Sequence, residues 1–531
     1  MNTSKDKIII GNCSGFYGDR LSAAKDMVDG GPIDVLTGDY LAELTMTILY
    51  NQRMQRGDDQ GYVGTFLKQF RDVAKTCQEK DIKIVTNAGG LNPSSMAKQI
   101  EEITAELNLD LKVAYIDGDD LIPRFEELKA ANEPLNNIEK GISLHDYEKK
   151  PLTANAYFGA WGIKEALDAG ADVVVCPRVT DAAVVIGPAA WKYNWSRDNY
   201  DALAGALAAG HIIECGAQAT GGNYSFFQEV PSFFNIGYPI AEIYEDGSFT
   251  ITKHPDTGGL VSIGTVTAQL LYEIGSPAYI NPDVIGHFDT LKMKQEAEDR
   301  VFVSGCRGSS APKTHKVCVN LAGGFRNGTE ILLTGIDIEE KAKLVTDLIF
   351  ENVGGKEQFD HVDVQLIRTD HQNPNSNEEA QASLRISVMS QNPDLVGRLF
   401  SAKIVELGLA SIPGYTGRSS IPSGPYIQYW PALIDSKFIK EKVHIDGKTI
   451  EIEPTSQMDF EEIYYQKEQY QNVLPNFEKT SKIKFGQLYG TRSGDKGGCA
   501  NLGVWAKNED TYAYLYDLSL IHISEPTRRT Q

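Results

Sequence analysis

The chain has 531 residues, with 51 Lys+Arg against 72 Asp+Glu and a formal net charge of −21. Neutralising phosphates takes a basic stripe, and here the cations are scattered among a larger number of acids, so nucleic acid is not an expected partner. At 41% hydrophobic and 23% charged the composition is that of a globular protein, long enough for several domains of about 150 residues each.

No window approaches the roughly 18 consecutive apolar residues of a spanning helix, and the start MNTSKDKIII lacks a secretory pattern. A cytoplasmic location and no membrane partner are therefore expected. The seven cysteines are widely spaced and never form a CxxC pair, which indicates neither a disulfide framework nor a zinc ribbon.

Short β-branched runs, each followed by a segment of helical period, recur through the first three hundred residues. The runs are 7–10, 33–36, 82–86, 111–116 and 172–175; the helix candidates are 41–52, 62–79, 94–107, 121–131 and 155–169. That alternation predicts an α/β domain over 1–312 built on a mostly parallel, doubly wound, Rossmann-like sheet. From residue 313 the texture changes. Two β-rich runs flank Arg326-Asn327-Gly328, a hairpin signal, and a helix (339–352), strands (361–368 and 383–388) and a helix (393–409) follow. This predicts an α+β domain over 313–453. A Gln- and Tyr-rich linker is expected over 454–482 and a small strand-loop-strand module over 483–517. The last residues, 518–531, lack apolar periodicity, and Ser519 to Arg528 match the translation of a sequencing adapter, so they are left out of the fold reading.

In open α/β sheets ligands bind beyond the carboxyl ends of the strands. That rule selects the loops carrying Asp19, Arg20, Asp39, Asn87, Gly89, Gly90, Arg178 and Asp181. Each Asp alone reads first as a helix cap; together they read as the wall of a site. The Gly11, Gly15, Gly18 spacing differs from G-x-G-x-x-G, so a nicotinamide is not expected.

The densest polar run is Ala208 to Phe227. On a helix, His211 and Glu214 share a face, which suits a general acid/base with its orienting partner, while Cys215 reads as packing. Gln218 and the Gly221-Gly222-Asn223 loop follow directly. His211 and Glu214 would need further ligands to hold a metal, and the metal question stays open. Lys253 leads into Thr257-Gly258-Gly259 before an apolar helix, a candidate nest for a phosphate or carboxylate. Near the end, Arg492, Asp495 and Lys496 stand in one glycine-rich β-β connection that could close on an acidic ligand.

GFYGDR, YLAELTM, NAGGLNP, PRVTDAA, AGHIIECGAQATGGN, the stretch from TKHPDTGGLV to QLLYEI, and RSGDKGGCANLGV occur in this order. With them the chain resembles the acyclic terpene utilisation protein A (AtuA) family over Lys7 to Asp517. The resemblance implies an α/β core followed by a ferredoxin-like C-terminal domain, here cut short. It also implies a place in the catabolism of acyclic terpenes and branched acids, alongside acyl-CoA carboxylases. It supplies no catalytic roles. At Gly497-Gly498-Cys499 the chain departs from the family's usual Gly-Asp pair, so no acid is carried over there.

The expectation is an enzyme acting on a branched acyl-CoA or terpenoid acid by lyase or hydratase chemistry, with a coenzyme A ester as substrate and no cofactor indicated. His211, Glu214, Asn87 and Gln218 form its catalytic set, with Asn87 or Gln218 polarising a carbonyl. Arg178, Lys253 and the glycine loops hold anionic groups. A homo-oligomer is expected. The alternatives are a non-catalytic protein that binds an acyl-CoA or docks on an acyl-CoA carboxylase, and an oxidoreductase.

Overall fold

The computed structural model describes residues 6–454, 481–496 and 499–522, and the side chains of 418–421, 496 and 517–522 are not part of that description. Most of the expected linker, and the tail beyond His522, lie outside it. The described residues form two compact units of a mixed α/β protein. One takes in Met1–Tyr147, Thr153–Val319 and Pro431–Gln531, and the other takes in Glu148–Leu152 and Asn320–Trp430. Among the described residues no helix is long and apolar enough to cross a membrane.

The first unit is organised by five strands, β1 (Lys7–Asn12), β2 (Val35–Gly38), β3 (Lys83–Thr86), β4 (Val113–Asp117) and β5 (Val173–Val175). Each coincides with one of the β-branched runs. They pair in parallel in the order β1-β2-β3-β5-β4, with Ile10 opposite Val35, Val35 opposite Lys83, and Val173 between Ile84 and Val113. Ile10, Val35, Val85, Ala114 and Val174 have no exposed surface, as strands covered on both faces require.

The sheet continues on both sides with antiparallel strands, which corrects the expectation of a mostly parallel sheet. Pro239–Tyr244 pairs with β1 and is followed outward by Phe249–Lys253, Arg300–Ser304 and Lys292–Ala297. Beyond β4 come Lys442–Ile445 and Lys448–Glu451. Six antiparallel ladders thus flank four parallel ones. The cause is local. Gly247 adopts φ 78° and its amide bonds Tyr244 O at 2.9 Å, closing a tight turn. Strands joined by so short a connection run antiparallel.

The central helix, Tyr200–Ile213, is buried on every side from Leu203 to Ile213, which identifies it as an interior helix rather than an amphipathic one. Two glycines let it pack this deeply. A Cβ on Gly205 would lie 1.9 Å from Gly247 O, and one on Gly210 would lie 2.8 Å from Ala182 Cβ. The helix ends at Ile213, so its last turn delivers His211 and Glu214 to the carboxyl end of the sheet.

In the second unit, the strand Thr314–Thr334 runs straight through Asn327-Gly328, where a hairpin was expected. Asn327 and Gly328 face Val388 and Ser387 on the strand Gln381–Ser390. The Asn327 side chain is buried and donates to Val396 O at 2.5 Å and Ser401 Oγ at 3.0 Å. Those bonds, and a ten-residue ladder from Phe325 to Thr334, outweigh the local turn preference. Ile331, Val345, Ile349, Leu384, Ile386 and Phe400 make the core of this unit.

Glu441 is buried against the helix Trp161–Asp168, where a Cβ on Gly162 would lie 2.1 Å from its Oε1. Burial, then the neighbouring Asp283, push its carboxyl up to about 8, and burial pushes Asp283 up to about 6. An acid raised in the folded state binds more protons there than when unfolded, so stability falls as pH rises from the ordinary carboxyl range through about 8. Glu441→Gln is expected to raise the melting temperature at pH 8.5 by about 3 °C or more and to change it little at pH 5. Parallel melting-temperature profiles for the two proteins would contradict this.

Candidate functional site

The loops after β1, β2 and β5 meet the segment after the central helix around a cleft of ≈ 420 Å³. The β1 loop contributes Gly15, Phe16 and Asp19; the β2 loop contributes Asp39, Leu41 and Ala42; Asp181 follows β5. The opposite wall runs from Glu214 and Cys215 through Gln218 to Gly222 and Asn223, and Tyr272 and Glu273 close it.

Gly15 serves close packing in this wall. A Cβ there would lie 2.5 Å from the Cys215 carbonyl carbon, so the loop can press on the chain only as glycine. Its amide donates to Asp19 Oδ2 at 2.8 Å, and Tyr238 Oη donates to Asp19 Oδ1. Asn12, at the end of β1, locks the two walls together. Its Nδ2 donates to Ile213 O at 2.6 Å and to Glu214 O at 3.1 Å. Sequence reasoning passed over Asn12, Tyr272 and Glu273. An Asn ending a strand carries no distinctive pattern, but its position beside the selected glycine loop was a usable signal.

Asp39 is 5% exposed. Asn87 Nδ2 donates to its Oδ1 at 2.5 Å, and Asn87 Oδ1 accepts from Tyr40 N at 2.8 Å. Asn87 therefore has both ends of its amide engaged and no exposed surface; it holds Asp39 and does not line the cleft. Burial, then the adjacent Asp181, hold the Asp39 carboxyl well above its ordinary range, with Arg178 opposing and Glu214 adding to the rise.

Arg178 is fully buried behind this wall. Its Nη1 donates to Asp181 Oδ1 and Val179 O, both at 2.8 Å, and its guanidinium lies 4.1 Å from the centre of the Tyr157 ring. Nε and Nη2 meet no acceptor among the described residues. The Arg178 amide donates to Asp119 Oδ2 at 3.2 Å, and burial pushes Asp119 up to about 7.

His211 is 1% exposed, with Nδ1 3.4 Å from Glu214 Oε1 and its ring packed against the stacked pair Tyr279 and Phe288 at centroid distances of 4.8 and 5.7 Å. Glu214 faces the cleft and His211 stands behind it. Burial, then Glu214, hold the Cys215 thiol well above its ordinary value, which makes it a poor nucleophile.

Other expected site residues lie elsewhere. Gly89 and Gly90 are structural: a Cβ on Gly89 would lie 2.5 Å from Cys176 O, and Gly90 adopts φ 54° with Leu49 Cδ1 2.3 Å from where its Cβ would be. The loop expected to form an anion nest is internally satisfied. Gly258 N bonds Asn235 O at 2.9 Å, Gly259 N bonds Ser232 O at 2.7 Å, and Lys253 Nζ lies 2.9 Å from Asp299 and 3.0 Å from Thr257 O. The next helix starts only at Ile263, capped by Ser262, so no helix N-terminus points at this loop. Arg20 and Thr257 line a second cavity of ≈ 280 Å³ with Tyr238 and His254, where Arg20 pairs with Asp26 at 3.2 Å. Gly221 adopts φ 106° and, with Gly222 and Asn223, forms the turn of the cleft wall. Arg492 contacts that turn, and Asp495 is exposed. Among the described residues no three His, Cys, Asp or Glu side chains are grouped to hold a metal.

The family model described as acyclic terpene utilisation family protein AtuA matches residues 8–445. The chain belongs to the AtuA family. That match spans the whole cleft as described, from Gly15 to Glu273. No curated protein matches the chain.

Replacing Arg178 by Met keeps its apolar stem and leaves Asp181 without its cation in a mostly buried position. Breaking a buried pair costs about 3 kcal/mol or more, so Arg178→Met is expected to lose at least that much in urea unfolding; a loss under about 1 kcal/mol would show that the pair behaves as a surface one.

Proposed function

We propose that the chain, a member of the AtuA family, is an enzyme of acyclic terpene utilisation, transferring protons next to the thioester carbonyl of a branched acyl-CoA in the hydratase or lyase manner. The observation that carries this is a pair of carboxyl groups in one cleft with opposite surroundings. Asp39 is held high by burial and by Asp181, while Asp181 is ion-paired with Arg178 at 2.8 Å. A carboxyl group held high suits the proton donor, and the ion-paired carboxylate beside it is left to take the part of the base.

In the hydration direction Asp181 takes a proton from water as its oxygen bonds to C3, and Asp39 gives its proton to C2. Charge gathering on the thioester oxygen is met by the side-chain amide of Gln218. Phe16, Leu41 and Ala42 give the branched chain an apolar wall. The carboxylates of the cleft disfavour phosphate within it, so only the acyl end enters. His211 stands behind Glu214, 3.4 Å from its carboxylate, and touches no reacting atom. The ferredoxin-like fold of the C-terminal module belongs to the same proposal and rests on the family resemblance.

Incubating the protein with a panel of branched 2-enoyl-CoAs is expected to give a product heavier by one water. Asp39→Asn and Asp181→Asn should each lower kcat by about 100-fold or more with cooperative melting retained. Binding of an acyl-CoA with no change of mass would contradict the enzyme reading and support the accessory one.

A further inference from the structure

The C-terminal hairpin, Tyr489–Lys496 paired with Cys499–Ala506, lies beyond the residues matched by the family model. It is nevertheless seated on the two segments that wall the cleft. Arg492, 8% exposed, donates through Nη2 to Gln218 Oε1 and through Nη1 to Asn223 O at 3.4 Å, and its guanidinium lies 4.1 Å from the centre of the Tyr272 ring. Asn501 grips the other segment, donating to Leu271 O at 2.9 Å and accepting from Glu273 N at 3.2 Å. Trp505 stacks on Tyr224, and Lys507 pairs with Glu229 at 2.6 Å. The fit is close: a Cβ on Gly503 would lie 2.6 Å from Leu271 Cβ, and one on Gly494 would lie 2.6 Å from Glu273 Cγ.

Four residues that line the cleft, Gln218, Asn223, Tyr272 and Glu273, are thus held by this hairpin. The chemistry of the Arg492 contact decides more. A guanidinium has donors and no acceptor, so the Gln218 atom facing it is the amide oxygen. Gln218 Nε2 then has no partner among the described residues, and it is the group this side chain offers to the cleft.

We infer that Arg492 is a positioning residue: it fixes Gln218 with its N–H donors available to a ligand, so that the cleft beside Asp39 and Glu214 takes an oxygen acceptor. The site is incomplete without the hairpin. Arg492 is engaged inside the protein and does not itself bind the ligand's anionic group. Equating the accepted oxygen with a thioester carbonyl rests on the acyl-CoA reading above; the positioning by Arg492 does not.

The test uses the full chain and hydrogen exchange of the Gly221, Gly222, Tyr224 and Glu273 amides, all of which are hydrogen-bonded in the wall. Arg492→Ala should speed their exchange about tenfold or more while leaving the central helix unchanged, and Arg492→Lys should fall between. Exchange within about twofold of wild type would overturn the inference. If Arg492→Ala fails to fold, Gln218→Met, which removes the acceptor, decides in its place: local acceleration supports the inference and unchanged exchange overturns it.

Turnover of a branched 2-enoyl-CoA supplies a second readout. Arg492→Ala should lower kcat with KM nearly unchanged, and should add no further loss in a Gln218→Ala background. A raised KM with kcat preserved would make Arg492 a ligand-binding group and overturn the inference. If the wild-type chain turns over no acyl-CoA, the proposed function fails, and the exchange data still decide the role of Arg492.

Discussion

A guanidinium removed from water must be met by opposite charge, and around Arg178 that requirement organises the cleft. Its Nη1 is shared between Asp181 and Val179 O, and its flat face is covered by Tyr157. Tyr157 in turn donates to Glu43 at 2.9 Å, and Lys316 lies 3.6 Å from the same carboxylate. The buried cation therefore ties the loop after β5 to the helix that follows β2. With Asp181 fixed beside it, Asp39 faces a like charge as well as burial, and its carboxyl is driven toward the neutral form. The two carboxyl groups thus differ for one reason: a single cation pairs directly with Asp181 and not with Asp39.

Glycine is what allows acidic side chains to crowd together at this end of the sheet. Gly15 admits the Cys215 backbone, Gly205 and Gly210 admit the neighbours of the central helix, and Asn12 bonds the last carbonyls of that helix. The result is a cleft whose backbone is set by packing and whose polar groups are set by a few reciprocal hydrogen bonds. Preorganisation of this kind lets fixed donors meet developing charge without paying for rearrangement.

Much of this was legible in the sequence, for identifiable reasons. Continuous β-branched runs located β1 to β5, the rule that ligands sit at strand carboxyl ends located Asp19, Asp39 and Asp181, and the polar run at the end of the central helix located Glu214; all four line one cleft. The place of the antiparallel flanks in this sheet was missed because sequence does not reveal which strands pair across long separations, as Pro239–Tyr244 does with β1. Asn327-Gly328 misled because a buried side-chain bond to Val396 O overrides a local turn preference. Lys253 and the Gly258-Gly259 loop looked like an anion site because sequence does not reveal that Asp299, Asn235 and Ser232 already satisfy them. The same blindness to partners made Asn87 look catalytic when its amide is consumed in holding Asp39 and Tyr40. Arg492 reads in the sequence as a group that closes on an acidic ligand, but its contacts are with Gln218, Asn223 and Tyr272.

The central claim is that Asp39 holds a proton at neutral pH while Asp181 remains the partner of Arg178. Infrared difference spectroscopy of wild type against Asp39→Asn at pH 7 tests it most directly. Other buried carboxyl groups such as Glu441 and Asp119 contribute equally to both proteins and cancel. The account predicts that the substitution removes a protonated-carboxyl C=O band and leaves the carboxylate bands in place. Loss of a carboxylate band instead would mean that Asp39 is ionised, and the assignment of acid and base in this cleft would have to be abandoned.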